Sequence, residues 1–285
     1  MSKIAIVTDS TAYLPPELVQ KYNLTITPLV VIWGEETLED GVDIQPSQFY
    51  TRLQTAKVMP STSQATPATM LTAFENLIAQ DYDEILGIFI SSNLSGTIDS
   101  AIQAKDLMQK GADKVTIFDS KTTAMALGFQ VLAVAKAIED GANLDDAVAL
   151  AEKARDNTGV YFAVDTLEFL HRGGRIGGAQ RFLGTALNMK PVLTLQDGRV
   201  EAVERIRTKK KAHNRVLELV AEQVQGKDNI RLATLNANAE DDAKALLDSA
   251  AQQLNPVDTF LTEISPVIGT HVGPGTVGLA YIAGI

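Results

Sequence analysis

Short apolar runs alternate with amphipathic patterns through the first half of the chain, and this limits the fold more than any other feature. Runs 4–7, 27–33, 84–90 and 115–118 read as buried strands. Between and after them, 46–53, Pro67–Ala79, 97–110 and 123–139 carry apolar residues at helical spacing. Apolar strands alternating with such helices indicate a parallel sheet covered on both faces. Small polar residues follow the strands: Thr8-Asp9-Ser10-Thr11 after the first, Ser91 through Thr97 after the third, Asp119-Ser120 after the fourth. Open parallel sheets bind ligands at the carboxyl ends of their strands.

The second half reads differently. Runs 160–164, 192–195, 199–207, 230–235 and 259–264 are strand-like, and helical patterns cover 209–225 and 239–254. Asp197-Gly198 between two strand-like runs is a hairpin turn signal. The expected fold is α/β: an N-terminal parallel sheet with helices on both faces, then a C-terminal α+β domain with an antiparallel or mixed sheet. The length of 285 residues suits two domains. The turn-prone stretch Asp156-Asn157-Thr158-Gly159 places the boundary, giving domains 1–157 and 158–285, with the last residues packing back on the N-terminal domain.

Composition removes whole classes of chemistry. There is no cysteine, so disulfides, thiolate catalysis and Cys-ligated metals are excluded. His171, His213 and His271 are the three histidines, and no two stand at metal-ligand spacing. The net charge of −10 argues against nucleic acid as a partner. With no apolar stretch of membrane-spanning length, a soluble, cytoplasmic protein is expected.

Four stretches carry candidate chemistry. In Pro60-Ser61-Thr62-Ser63-Gln64-Ala65-Thr66-Pro67, hydroxyls and an amide crowd before a helix, as helix caps or as a nest of neutral donors. Leu94-Ser95-Gly96-Thr97 opens the next helix, where free N–H groups favour an anion. Thr166 through Gly178 sets Arg172 and Arg175 among glycines; guanidinium groups suit carboxylate or phosphate. Pro266 through Thr276 holds His271 between glycines and prolines, suggesting a backbone bent tightly around something. His213 follows Lys209-Lys210-Lys211 and reads as part of a solvated face. Neither a Walker A pattern nor G-x-S-x-G is present.

These stretches together resemble one family. With Thr8 through Pro15, Asp40-Gly41-Val42-Asp43-Ile44 and Gly269 through Gly275, they match the DegV family nearly end to end. The resemblance implies two α/β domains around a long-chain fatty acid, with no other cofactor and no metal. It implies a lipid-binding carrier, not an enzyme, serving as the acyl-carrying subunit of a bacterial fatty acid kinase. The partner kinase phosphorylates the bound acid, and the acyl-phosphate feeds phospholipid synthesis. Carried over by motif, Thr62, Ser95, Gly96 and His271 hold the carboxyl group. Gln64, Ser63, Thr97, Arg172 and Thr270 support them. Arg172, Arg175, Arg205, Arg207 and Lys209 form the docking set for the kinase. Tyr13, Ala65, Ile98 and His171 depart from the usual pattern, which bears on acyl-chain preference.

Charge is uneven. Residues 157–215 hold eleven Lys and Arg against five Asp and Glu, leaving −16 for the remainder. A basic face suits an acidic partner, transient contact with anionic lipid, or plain solvent. Two rival functions stay open: a Ser-dependent acyl hydrolase built from Ser95, His271 and Asp9 or Asp119, and a module for another small carboxylate or phosphorylated ligand.

Overall fold

Ile85, Leu86, Ile88 and Phe89 are all fully buried, as a strand walled on both faces must be. They belong to β6 (Glu84–Phe89) of a computed structural model that describes residues 2–184 and 189–285. β6 lies in a four-stranded parallel sheet with β1 (Ile4–Asp9), β2 (Thr25–Thr27) and β7 (Val115–Asp119), in the order β2-β1-β6-β7. The period-two alternation sorts its side chains between two cores. Ile85 and Phe89 meet α3 (Pro67–Ala79) and α4 (Thr97–Leu107) on one face. Leu86 and Ile88 meet α5 (Ala124–Glu139) and α6 (Leu144–Asp156) on the other.

The apolar run 27–33, expected as one strand, is two. Pro28 has no N–H to give a ladder. The chain leaves the parallel sheet after β2 and enters a separate antiparallel sheet as β3 (Val30–Trp33), flanked by β4 (Glu36–Glu39) and β5 (Ser61–Ser63). Helices α1 (Pro16–Lys21) and α2 (Pro46–Thr55) complete this half.

The second half forms a six-stranded mixed sheet. Its strands are β8 (Thr158–Ala163), β9 (Lys190–Gln196), β10 (Arg199–Ile206), β11 (Arg231–Asn236), β12 (Asp258–Glu263) and β13 (Val277–Ile282). The order is β10-β9-β8-β13-β11-β12, antiparallel except for β11 with β12. The run Val277–Ile282, unassigned from sequence, is fully buried and joins β8 to β11 in mid-sheet. Asp197 and Gly198 both have positive φ, at 49° and 77°, as the expected two-residue hairpin turn demands.

Two helices, α8 (Lys209–Val224) and α9 (Glu240–Leu254), cover one face of this sheet. His213 was expected in solvent but is 8% exposed. Ala212, His213, Val216 and Val220 fall on the inner face of α8 by helical period, whatever the charge of the preceding lysines. Burial pushes its pKa below the ordinary histidine value.

The opposite face turns toward α5. Between Ala124 and Ala135 that helix is apolar on every side except for buried Gln130, as a helix buried between layers must be. Leu127, Val131 and Val134 pack on the parallel sheet. Met125, Ala126 and Phe129 share a core with Phe162, Leu235 and Ala280 of the mixed sheet. Two short helices, α7 (Glu168–Arg172) and α10 (Pro266–Val272), finish the fold between the sheets.

Candidate functional site

Beside α5, between the sheets, lies a cavity with about 830 Å³ of empty space, mouth included. Its wall is chiefly apolar, with Leu29 and Ile90 from the first half and Phe162, Leu195, Leu235 and Ile264 from the second. Thr62, Ser63, Gln64, Ser95, Arg175 and His271 give it a polar part. Few polar groups on a mostly apolar wall is the usual make-up of a small-molecule site.

The polar side chains arrive from several elements of both halves of the chain. Thr62 sits in β5, opposite Val31. Its hydroxyl lies 2.8 Å from His271 Nε2. His271 stands on α10, so its surroundings are a short helix and not the expected bent loop. Burial pushes the imidazole down to about 4, and the charge of Arg175 adds to this. His271 is therefore neutral near pH 7. Its Nδ1 is buried and has no hydrogen-bond partner among the described residues.

Gly173 explains where that ring can sit. A Cβ there would stand 2.1 Å from His271 Nδ1. The φ of Gly173 is −75°, so space and not backbone conformation demands glycine.

Ser95 stands on the loop between β6 and α4, and its hydroxyl meets that of Thr97 at 2.8 Å. Thr97 is fully buried behind it. Gly96 precedes the first turn of α4, and the Gln64 side chain lies over it, 3.1 Å from where a Cβ would be.

The two arginines part company. Arg175 lines the cavity and donates from Nη1 to Gly173 O at 2.8 Å and from Nε to Leu94 O at 3.1 Å. Arg172 is exposed, pairs with Glu168, and lies over the Phe169 ring. It borders a separate outer hollow with Met59, Pro60 and Thr270, which Thr62, Arg175 and His271 reach from their other side. Thr270 donates its hydroxyl to Pro266 O at 2.8 Å within its own helix. Sequence reasoning put Arg172 in the carboxyl network and both arginines among the docking residues; the structure sets Arg175 on the cavity wall. The reversal of the chain after α7, with φ of 70° at Gly174, decides which arginine turns inward, and no motif encodes it.

The remaining docking candidates lie off the cavity wall. Arg205 stands over the Phe182 ring, 5.2 Å from its centroid. Arg207 is exposed. Lys209 is within 3.4 Å of Asp165 and 3.9 Å of Asp242. The constellation for a hydrolase is not drawn together. Asp9 accepts from Thr11 and the Ile90 N–H, and Asp119 from Ser92 and Lys121; neither meets His271. Among the described residues no cluster suited to a metal is found, and no helix is long and apolar enough to cross a membrane.

Fold and site together define a three-sheet α/β protein that encloses a largely apolar cavity with one hydroxyl- and imidazole-lined polar part. The chain belongs to the DegV family, whose model, described as an uncharacterised protein family, matches residues 3–284. It is 35% identical to Protein DegV of Bacillus subtilis over 279 residues, 98% of each chain. It is 38% identical to a DegV domain-containing protein of Streptomyces coelicolor over 277 residues, 97% of each. Among solved structures, a DegV family protein from Thermus thermophilus described by its fatty acid binding superposes with a TM-score of 0.92 at 36% identity, covering 99% of both chains. A stearic acid-binding protein from Eubacterium ventriosum gives 0.91 at 26% identity, covering 100% of this chain and 99% of that one.

Proposed function

We propose that this protein binds a long-chain fatty acid in the cavity between its two domains, 1–157 and 158–285, and presents the carboxyl group to a separate kinase. The observation that carries the reading is the apolar cavity with Thr62, His271, Ser95 and Arg175 gathered in one part of its wall. Fatty acid binding by the related proteins from Thermus thermophilus and Eubacterium ventriosum supports it.

The physical logic has two parts. Each methylene contributes roughly 0.8 kcal/mol on leaving water, so a chain of about sixteen carbons gives on the order of 12 kcal/mol before ordering costs. The chain therefore dominates affinity. The head group needs partners, because a bare buried carboxylate is very costly. Thr62 and Ser95 offer hydroxyls, Gly96 a backbone N–H, and neutral His271 a further donor or acceptor through Thr62. Arg175 contributes positive charge while two of its N–H groups stay on backbone carbonyls.

Neutral donors matter for the reaction. They satisfy the carboxylate without locking it in a bidentate ion pair, so one oxygen remains a nucleophile. That oxygen attacks the γ-phosphorus of ATP held by the kinase, the bond to the β-phosphate oxygen breaks, and ADP leaves with the acyl-phosphate on the carrier. Arg172, exposed at the outer hollow, is placed to meet the transferring phosphoryl group or the kinase. Acyl-phosphate formation with Arg172→Ala tests this role: the reading expects fatty acid retained and phosphorylation reduced at least tenfold. Normal phosphorylation would remove Arg172 from the transfer step.

A further inference from the structure

Two motifs have no part in the cavity: Thr8-Asp9-Ser10-Thr11 and Asp40-Gly41-Val42-Asp43-Ile44. The fold brings them together at the start of α10. Asp40 is 2% exposed. Its Oδ2 accepts the Ser10 hydroxyl at 2.7 Å, and its Oδ1 accepts the Val267 backbone N–H at 3.2 Å. Ser10 in turn accepts the Leu29 N–H at 3.1 Å. Two tyrosines from the same half of the chain hold the residues just before: Tyr13 Oη accepts the Ser265 N–H at 3.0 Å, and Tyr50 Oη donates to Ile264 O at 3.0 Å. Gly269 lets the Tyr50 ring close on the helix, since a Cβ there would stand 2.5 Å from Tyr50 Oη.

Three side chains from the first half thus grip the backbone of Ile264, Ser265 and Val267 in the second, where α10 begins. The same short helix carries His271 and supplies Val267, Ile268 and Val272 to the cavity wall. We propose that Asp40 is a positioning residue: with Ser10 it fixes the first turn of α10, and so the stance of His271, in a joint that loosens as the Asp40 carboxyl ionises.

The charge balance of the joint gives the sign. Asp40 has no ion pair among the described residues. The titratable groups around it are Asp9 at the end of β1, Tyr13, Tyr50 on α2 and, beyond Tyr50, Glu263; none is cationic. The Ser265 hydroxyl is buried close to Asp40. Burial pushes Asp40 up to about 6, against the Ser10 and Val267 hydrogen bonds and the nearby Ser265 hydroxyl, which favour its ionised form. An opened joint returns it to water, with an ordinary aspartate value near ~3.9. The closed joint therefore holds the proton more tightly. Closure is favoured below about pH 4, and that advantage is lost as pH rises through about 6. Full exposure sets a ceiling of about 100-fold on the change in opening.

Amide hydrogen exchange of residues 266–272 in the lipid-free full chain, corrected for the intrinsic pH dependence of exchange, reads the joint directly. Between pH 4.5 and 7.5, protection should fall with a midpoint near pH 6 and remain constant for Asp40→Asn, which keeps an acceptor for Val267 without the charge. Asp40→Ala should leave the segment weakly protected at every pH while β13 amides stay protected, which shows that the fold survives. A flat profile with Asp40 intact, the same midpoint in Asp40→Asn, or full protection in Asp40→Ala would overturn the proposal. The profiles are recorded in a His271→Gln background, because an opened joint would also return His271 from about 4 to its ordinary value and so oppose Asp40 over the same pH range. No lipid is used, so the outcome is separate from the fatty acid reading on which the meaning of the His271 stance rests.

Discussion

Gly173 shows how a single missing methyl group defines a site. His271 Nδ1 occupies the space a side chain would need, and the ring thereby reaches Thr62 with Nε2. Gly173→Ala should push the ring away from Thr62 and weaken fatty acid binding by about 5- to 30-fold, the equivalent of one hydrogen bond in a buried site. A lipid titration checks this; unchanged affinity would show that the ring position does not matter. Thr62→Val keeps the shape and removes the hydroxyl. A hydrogen bond to a charged group contributes about 1.5–3 kcal/mol, so affinity should fall roughly 10- to 100-fold, with an intact fold by circular dichroism. Protonation follows the opposite course at the two buried groups near α10. His271 is held near 4 and favours the folded chain as pH rises from about 4 toward its ordinary value; Asp40, raised to about 6, favours it as pH falls through that range. A global melt sums these opposed effects, so residue-level exchange is the sharper probe. Motifs drew attention to Thr62, Ser95 and His271, which the structure sets on the cavity wall. The sequence did not reveal Gly173 or the inward turn of Arg175, because both depend on contacts between segments about a hundred or eighty residues apart.

At the scale of elements, the β9–β10 hairpin has a second role beyond joining strands. Ser91 Oγ donates to Gly198 O at 2.9 Å, and Asn93 Nδ2 donates to Asp197 O at 2.9 Å. The turn thus ties the mixed sheet to the loop that carries Ser95. Gly198 has φ of 77°, and a Cβ there would stand 2.2 Å from Ser91 Oγ. Gly198→Ala should destabilise the chain by about 1–2 kcal/mol from backbone strain alone. It should also speed fatty acid release, because the Ser95 loop loses its anchor; thermal melts and dissociation rates together check this, and a lower Tm with unchanged release would confine the turn to a stability role. The Asp-Gly signal made this hairpin legible. The centre of the parallel sheet was legible too, since β1 and β6 are buried on both faces and read as continuous apolar runs, whereas the short, polar edge strand β2 was not. The division of 27–33 was not, because one proline redirects a strand whose composition is uniform. Helix α6 was missed although Asn143 caps it and Asp145 and Asp146 lie in its first turn. Its buried residues are Ala147, Ala151 and Ala154, too small to give a strong apolar stripe.

Across the whole molecule, the two halves meet through α5, through the hairpin and through the grip on α10, and the cavity lies among these contacts. The net charge of −10 hides the basic segment 157–215. Part of that charge is answered locally: Arg215 bridges Glu204, Glu218 and Glu222, and Lys209 lies near Asp165 and Asp242. Arg207, Lys210 and Lys211 are exposed without an ion pair among the described residues. If this face docks an acidic partner, association with the kinase should slow severalfold between about 50 and 300 mM salt while dissociation changes little. Salt-independent association would assign these residues to solvent. The central claim is that the cavity holds an acyl chain, and native mass spectrometry of the purified protein with lipid extraction tests it most directly. The account expects a one-to-one adduct released as a free long-chain fatty acid with its carboxyl group intact. No acyl chain on the purified protein, and none taken up when long-chain acids are added, would contradict it.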